Sequence, residues 1–218
     1  MKAIEDAKWR DAAAKLGLTL VRQDGRTVLV EKGTRRHRMR GTIEGHAVTA
    51  DYGLRHVDDG VTVVDVRLPK PLLLGLCVQV SAPPRAGTGR TLGGGLRTSI
   101  EAVEPERARA MLSATASAKD LVSCLESLGS LGWVELRDTR VRIQCEVLID
   151  TPDGYAKLVR VAVRTAVLAE RARSALAPAD WEIRLRTELE AVATDLRAPF
   201  DAALLRVVGE SRPTDPAA

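Results

Sequence analysis

Residues 133–145 read Trp-Val-Glu-Leu-Arg-Asp-Thr-Arg-Val-Arg-Ile-Gln-Cys, and this stretch decides the fold class. Apolar and polar side chains alternate from 133 to 137 and again from 141 to 147, around the polar pair Asp138 and Thr139. Alternation with a period of two is typical of a strand with one buried face, so two such runs around a short turn predict a β-hairpin. One face of the hairpin is expected to carry the apolar residues Val134, Leu136, Val141, Ile143 and Cys145.

A long helix is predicted directly after the hairpin. Asp150 or Thr151 is suited to cap its N-terminus, and Pro152 fits the first turn because the N–H that proline lacks would have no partner there. The helical pattern continues to about Leu176, and the segment is rich in Val, Leu and Ala nearly all round. A helix of this kind is usually buried in a protein core.

A second helix follows Pro178 and carries an apolar stripe spaced by four, four, three and four residues. This spacing places the side chains on one face, which makes the helix amphipathic and the stripe a candidate protein-interaction surface. The stripe consists of Trp181, Leu185, Leu189, Val192 and Leu196. Pro199 is expected to break this helix, and a helix is expected to resume over 200–208.

The N-terminal half is predicted to be strand-rich and mainly antiparallel. Its opening helix over 2–16 is expected to end at Gly17, since glycine commonly terminates helices. Short apolar or β-branched runs follow, separated by Asp-Gly, Glu-Gly and proline, as in hairpin-connected strands. The predicted strands are 18–22, 27–31, 39–43, 46–52, 61–68 and 72–81. With a strand at 96–103, helices at 105–112 and 117–128, and the two long amphipathic helices, the pattern predicts an α+β fold.

Proline and glycine are concentrated between residues 83 and 95, which predicts a long flexible connection between two parts of the chain. We therefore expect a strand-rich subdomain with an N-terminal helix over 1–82, and an α+β helical subdomain over 96–208. The polar, proline-containing segment 209–218 is expected to be a disordered tail.

The composition favours a cytoplasmic protein with an aliphatic core. The chain is 45% hydrophobic but only 3% aromatic, so Val, Leu, Ile and Ala must fill the interior. The N-terminus lacks the pattern of a secretory signal, and no apolar run approaches the roughly 18 residues that span a bilayer. Cys77, Cys124 and Cys145 match no metal-binding spacing and lie among apolar neighbours, so they are expected to be reduced core residues.

The sequence pI of about 9.2 suggests a nucleic-acid partner, but the amino-acid composition gives another explanation for the high pI. There are 26 arginines against 7 lysines and no asparagine, a balance that a high-GC genome produces without selection for binding. The positive surplus lies in the first hundred residues, which hold 17 basic and 10 acidic side chains. This asymmetry favours an acidic partner at the front or contact between copies of the chain.

The densest basic segment contains Arg35, Arg36, His37, Arg38 and Arg40. In an extended chain alternate side chains share a face, so Arg36, Arg38 and Arg40 are expected to point the same way. Together with Arg35 they are candidates for binding an anion or nucleic acid by neutralising phosphates. We favour the alternative that the segment is a solvated edge strand, which its charges protect from aggregation.

The residue patterns predict no enzyme, no cofactor and no metal site. His37, His46 and His56 lack the spacing of a metal-binding motif and have no cysteine nearby. The glycines of 87–95 fit neither the dinucleotide-binding fingerprint nor the P-loop, and the next predicted element is a strand rather than the helix that would face a phosphate.

Three stretches carry a resemblance to other proteins. They are Trp9 in the opening helix ahead of Lys15-Leu16-Gly17, residues 39–48, Met-Arg-Gly-Thr-Ile-Glu-Gly-His-Ala-Val, and residues 71–76, Pro-Leu-Leu-Leu-Gly-Leu. They resemble uncharacterised bacterial α+β proteins in which an R-G-x-I-x-G-x-x-V strand precedes a P-L-x-L-G-L strand, a glycine-containing connection and a helical C-terminal half. The resemblance implies an α+β fold and brings no activity, cofactor or catalytic residue with it.

We therefore expect a non-enzymatic protein–protein interaction or assembly protein, a scaffold or adaptor with a protein partner or a homo-oligomeric state. The stripe on the second long helix and the edges of the sheet are the expected contact surfaces. The alternative is an anion- or nucleic-acid-binding module that uses the basic segment 35–40, although a nucleic-acid partner is not favoured.

Overall fold

The structure is a computed structural model of the chain. It describes residues 2–21, 36–56, 59–82, 95–145, 149, 151–202 and 205–207. The chain forms two compact units, Met1–Leu176 and Ala177–Ala218. The predicted strand at 27–31, nearly all of the predicted connection at 83–95 and the predicted tail at 209–218 lie outside the described residues.

The first unit contains an eight-stranded antiparallel sheet, and the predicted α+β class is confirmed. Its strands are β1 Thr19–Val21, β2 Arg36–Ile43, β3 His46–His56, β4 Asp59–Arg67, β5 Cys77–Ser81, β6 Arg97–Glu101, β7 Gly132–Arg137 and β8 Arg140–Cys145. They lie in the order β1-β2-β3-β4-β8-β7-β5-β6, and each neighbouring pair is antiparallel. The predicted hairpin is the β7–β8 pair, with Asp138 and Thr139 at its turn.

The sheet joins strands from both predicted subdomains. β4 pairs with β8 and β5 pairs with β7, so strands before and after residues 83–95 belong to one sheet. The β7–β8 hairpin can enter between β4 and β5 because both of its edges offer backbone hydrogen bonds and its apolar face continues theirs. The boundary between the two compact units lies instead after Leu176.

Helices cover one face of this sheet. Those described in the first unit are α1 Lys2–Leu16, α2 Pro105–Ser113, α3 Ala118–Gly129 and α4 Pro152–Ser174, each close to a predicted helix. α4 contacts β3, β4 and β8, α3 contacts β5 and β7, and α1 contacts β1 and β2. Thr151 caps α4 as expected, since its Oγ1 accepts the backbone N–H of Gly154 at 3.1 Å.

The covered face of the sheet and the helices form the hydrophobic core. All five apolar residues predicted for the hairpin face are buried. Neighbouring strands extend that face with Met39, Val48, Ala50, Val64, Val66, Val78 and Val80. From the helices, the Trp9 ring meets the Tyr155 ring edge-on, with centroids 4.9 Å apart. Each fully buried aliphatic side chain contributes about 1.5–3 kcal/mol, so this face supplies the main driving force for folding.

The strand predicted over 72–81 is wrong in its first half, because β5 begins only at Cys77. The Asp138 carboxylate accepts three backbone N–H groups of the preceding segment, those of Leu74, Gly75 and Leu76, at 2.8–3.3 Å. Gly75 has a φ of +58°, and a Cβ there would lie 2.4 Å from the Val103 side chain. The backbone N–H groups of this segment therefore bind the Asp138 carboxylate in a turn, and they are not available for pairing with a neighbouring strand.

The second unit contains α5 Asp180–Asp195 and two short strands, β9 Phe200–Asp201 and β10 Arg206–Val207, among its described residues. The strands pair antiparallel, and α5 contacts both of them. The helix predicted after Pro178 is confirmed, whereas the helix expected over 200–208 is wrong where that segment is described. Pro199 has no N–H for continued helical bonding, and the aromatic and β-branched residues beyond it pair as strands instead.

Candidate functional site

The second face of the sheet carries polar and charged side chains, and we call it the polar face. Because side chains alternate along a strand, this face consists of the residues that lie between those of the core face. Its charged members with described side chains are Arg38, Arg40, Asp51, Asp65, Arg67, Arg97, Glu101, Glu135, Arg137, Arg140 and Arg142. Arginines outnumber carboxylates in this set, so the described part of the face is positively charged.

Two of the predicted anion-binding arginines, Arg38 and Arg40, lie on the polar face in β2. Arg38 is already paired, since its Nε and Nη2 donate to the two carboxylate oxygens of Asp51 at 2.6 and 2.9 Å. This hydrogen-bonded pair raises the pKa of Arg38, although partial burial opposes the shift. Arg36 begins β2, and Arg35 lies outside the described residues.

The expectation that the basic segment forms an edge strand is wrong. β2 lies between two strands, since residues 38–40 pair with β1 on one side and the whole of β2 pairs with β3 on the other. The outer strands of the described sheet are β1 and β6. The basic segment therefore lies on an inner strand of the sheet. Asp51 on the neighbouring strand β3 offsets the charge of Arg38.

A groove of about 530 Å³ lies on the polar face over β3, β4 and β8, and we call it the arginine groove. It is lined by Arg38, Thr49, Asp51, Val63, Asp65, Arg67, Leu68, Thr139, Arg140 and Arg142. Its four arginines and two aspartates leave a surplus of two positive charges. The binding residues predicted from the sequence do not include Arg67, Arg140 and Arg142. The same alternation that predicts the core positions nevertheless places all three on the opposite, polar face.

Glu135 anchors two arginines beside this groove. Its carboxylate is buried and accepts hydrogen bonds from Arg137 Nη2 at 2.9 Å, Gln79 Nε2 at 3.3 Å and Arg140 Nη2 at 3.4 Å. Burial alone would raise the pKa of Glu135, but these donors and their positive charge lower it below its ordinary value. The Nε of Arg137 also lies 2.9 Å from Oε1 of Glu135, whereas the buried Nε of Arg140 has no hydrogen-bond partner among the described residues.

Arg67 and Arg142 have no hydrogen-bond or ion-pair partner among the described residues. Across the sheet, Arg67 lies opposite Arg140, and Arg142 lies between Asp65 on β4 and Glu135 on β7. Like charges placed directly opposite each other in a sheet cost about 0.2–1 kcal/mol. The arginine groove therefore holds two arginines that make no hydrogen bond or ion pair within the described part of the chain.

The outer edge of β6 is a second candidate surface. β6 pairs with β5 and has no second neighbouring strand within the described ranges, and all five of its residues are exposed. Ile100, on the core-facing side of β6, has 55% of its surface exposed. An edge strand with an exposed apolar residue is a template for pairing with another chain.

A mostly apolar groove of about 440 Å³ lies beside this edge, between the β5–β6 surface and helices α2 and α3, and we call it the β6 groove. It is lined by Val78, Val80, Thr98, Ile100, Ala102, Pro105, Arg109, Leu112, Ser113, Val122, Leu125 and Glu126. Val103, just after β6, is 81% exposed. Arg97 and Glu101 stand at the two ends of β6 with no ion-pair partner among the described residues. Contiguous exposed apolar surface with a polar rim is typical of interaction sites.

The apolar stripe predicted on the second long helix lies on α5, apart from Leu196, which follows the end of the helix. The first three members, Trp181, Leu185 and Leu189, are half-buried. Val192 and Leu196 are exposed, so part of the stripe is accessible in the chain. Its role as an interaction surface stays a prediction.

One described histidine and two of the cysteines, Cys124 and Cys145, lie in or against the core. His46 is buried, with Nδ1 2.9 Å from the Glu44 carbonyl oxygen and Nε2 3.1 Å from Oε2 of Glu170 on α4. All three cysteines are free, as expected, and burial raises the pKa of Cys145 to about 11. The expected core position is wrong for Cys77, which is half-buried on the polar face with its Sγ 3.9 Å from Oε2 of Glu135. Among residues with a described placement, no group of three or more His, Cys, Asp or Glu side chains could hold a metal ion.

No helix within the described ranges combines the length and apolar character needed to cross a membrane. No family model matches this chain, and no curated protein matches it. Among solved structures, the chain is similar to the crystal structure of the mycobacterial trehalose monomycolate transport factor A, TtfA. The TM-score is 0.43 and the identity 12%, over 78% of this chain and 96% of that chain.

Proposed function

We propose that this chain is a non-enzymatic interaction and assembly protein whose copies join by pairing β6 with β6 of a second copy. The observation that supports this proposal is the charge pattern of β6, Arg97-Thr98-Ser99-Ile100-Glu101, on an exposed sheet edge. In antiparallel pairing about a twofold axis at Ser99, Arg97 of each copy lies opposite Glu101 of the other. Twofold dimers with one self-complementary patch are the commonest form of homo-oligomer.

The register centred on Ser99 is favoured over its neighbours. A twofold axis at Thr98 or Ile100 leaves part of β6 unpaired and puts Arg97 or Glu101 opposite Ser99. The axis at Ser99 pairs the whole strand and brings opposite charges together on the polar face. It also places Thr98 opposite Ile100 on the core-facing side, next to the β6 groove.

The arrangement of charges distinguishes β6 from a protected edge strand. Charged edge strands usually resist pairing because two copies present the same sign to each other. In β6 the two charges are opposite in sign and lie at equal distances from the central serine. Self-pairing therefore forms two cross-strand ion pairs, each contributing about 0.2–1 kcal/mol at an exposed position.

The expected affinity follows from the size of the contact. Stable interfaces bury about 1,200–2,000 Å² in total, and five paired residues on each side bury less than this. Contacts made by the exposed Ile100 and the β6 groove enlarge the contact. We therefore expect a dissociation constant on the order of micromolar.

Sedimentation velocity over about 1 to 500 μM protein tests the proposal, because a micromolar dimer dissociates within that range. Wild type should show a monomer–dimer equilibrium. Arg97→Glu places two carboxylates opposite each other at both ends of the contact, and Glu101→Arg does the same with two arginines. Each single variant should weaken the dimer at least about tenfold, since reversing two ion pairs changes the free energy of association by more than about 1.4 kcal/mol.

The decisive sample is an equimolar mixture of the two single variants. In the mixed dimer every Arg97→Glu position faces an arginine and every Glu101→Arg position faces a carboxylate, so dimers should return. Arg171→Glu, an exposed charge reversal on α4, should leave the wild-type equilibrium unchanged. A strictly monomeric wild type at all concentrations would overturn the proposal, and so would dimers that the two single variants do not weaken.

A further inference from the structure

We propose that the arginine groove binds the phosphate group of a small phosphomonoester. The proposal does not depend on β6 pairing, since the groove lies over β3, β4 and β8. The surplus of two positive charges in its lining matches a phosphomonoester, which carries about −1.5 to −2 at neutral pH. A ligand of that charge would leave the groove close to neutral.

Arg67 and Arg142 are the residues assigned to the phosphate. Arg38 is already neutralised by Asp51, and Arg140 is shared between Glu135 at 3.4 Å and Asp65 at 3.9 Å. Arg67 and Arg142 are the lining arginines with no partner in the described part of the chain.

The register brings these two arginines within reach of one ligand. Arg67 lies opposite Arg140, so Arg142, two residues further along β8, is its diagonal neighbour. Diagonal positions in an antiparallel sheet are about 7–8 Å apart, a gap that two long side chains can close over one phosphate. Guanidinium groups also match phosphate oxygens with paired, parallel N–H donors. The buried and unpartnered Nε of Arg140 lies in the same lining and offers a further donor.

The rest of the lining suits the organic part of a phosphorylated molecule. The volume of about 530 Å³ lies within the ~300–1,000 Å³ typical of small-molecule sites, and is larger than a bare phosphate needs. The hydroxyls of Thr49 and Thr139 can hydrogen-bond to a polar ligand, and Val63 and Leu68 add apolar surface. The groove therefore fits a small phosphate ester.

Isothermal titration with glycerol 3-phosphate, at an ionic strength held constant with sodium chloride, tests this assignment. We expect saturable one-to-one binding in wild type, and no saturable heat from glycerol or sodium acetate. The double variant Arg67→Gln, Arg142→Gln should bind at least about tenfold more weakly, because it removes both unpaired cations. Arg67→Lys should lie between the two, since it keeps the charge but loses the paired donors.

Arg171→Gln on α4 is the surface control, because it removes one positive charge, half of what the double variant removes, from an exposed position outside the groove. It should change the affinity less than about twofold, as expected for a distant surface charge. Equal weakening by Arg171→Gln and by the groove variant, or no saturable binding by a folded wild type, would overturn the proposal. Circular dichroism checks that each variant keeps the wild-type fold.

A second experiment with lipid vesicles distinguishes a lipid headgroup from a soluble ester as the source of the phosphate. Phosphatidate exposes a phosphomonoester on a membrane, whereas phosphatidylcholine does not. Cosedimentation with phosphatidate vesicles that is lost in the double variant would assign the phosphate to a lipid headgroup. Binding of glycerol 3-phosphate without vesicle binding would assign it to a soluble ester, and both results support the site. Vesicle binding that the double variant retains would contradict it.

Discussion

Ile143 and Gln144 are neighbours in β8, yet one is fully buried in the core and the other is half-buried on the polar face. The same contrast holds between Leu136 and Arg137 in β7. One alternating pattern thus assigns residues one position apart to different physical roles. The core face packs against α1, α3 and α4, whereas the polar face carries the charged side chains.

The difference between the two faces of the sheet explains how arginine side chains can occupy electrostatically unfavourable positions. On the core face an unpaired cation would carry a desolvation cost that no partner offsets. On the polar face solvent screens most of that cost, so Arg67 can lie opposite Arg140 at a small penalty. Residues that weaken the fold slightly are therefore the ones to examine for binding.

The largest expected effect comes from truncating the core member of a neighbouring pair. Ile143→Ala should lower the free energy of unfolding by about 2–5 kcal/mol, because it removes buried methyl groups and leaves a cavity. Gln144→Ala, one residue away in the same strand, should change it by less than about 0.5 kcal/mol. Urea unfolding followed by circular dichroism measures both. Similar losses in the two variants would break the two-faced description of the sheet.

A smaller effect of opposite sign is expected on the polar face. Arg67→Gln should raise the free energy of unfolding by about 0.2–1 kcal/mol, because it relieves the repulsion from Arg140. The gain should shrink as salt is added, since salt screens exposed charges. Thermal unfolding at low and high sodium chloride checks both points, with Arg171→Gln as the control. A destabilised Arg67→Gln variant would mean that Arg67 makes a favourable contact in the fold.

Much of the fold follows from local patterns in the sequence. Alternation predicts the β7–β8 hairpin and its buried face, and Thr151 and Pro152 predict the start of α4. These features rest on neighbours in the chain, which a single sequence displays. The turn at Leu74–Leu76 cannot be predicted from local patterns, because the Asp138 carboxylate that stabilises it lies more than sixty residues further along the chain.

The candidate surfaces were harder to predict because they depend on the order of strands in space. The arginine groove needs β4 beside β8, a pairing between residues that are 73–83 positions apart in the chain. The charges of the basic segment at 35–40 predict an edge strand, and nothing nearby in the sequence shows that β1 pairs with it. The exposed edge of β6 likewise depends on which strands the sheet places last.

Disulfide trapping at Ser99 tests the proposed assembly most directly, in a chain with Cys77 and Cys124 replaced by serine. Directly opposed residues of antiparallel strands have Cα atoms about 4.5–5.5 Å apart, which is within the range that a disulfide spans. Ser99→Cys should therefore form a covalent dimer under mild oxidation, seen on a non-reducing gel. Arg97→Cys should not, because its two copies would lie roughly 13 Å apart along the strands. No dimer from Ser99→Cys, or equal amounts from both variants, would contradict pairing about Ser99.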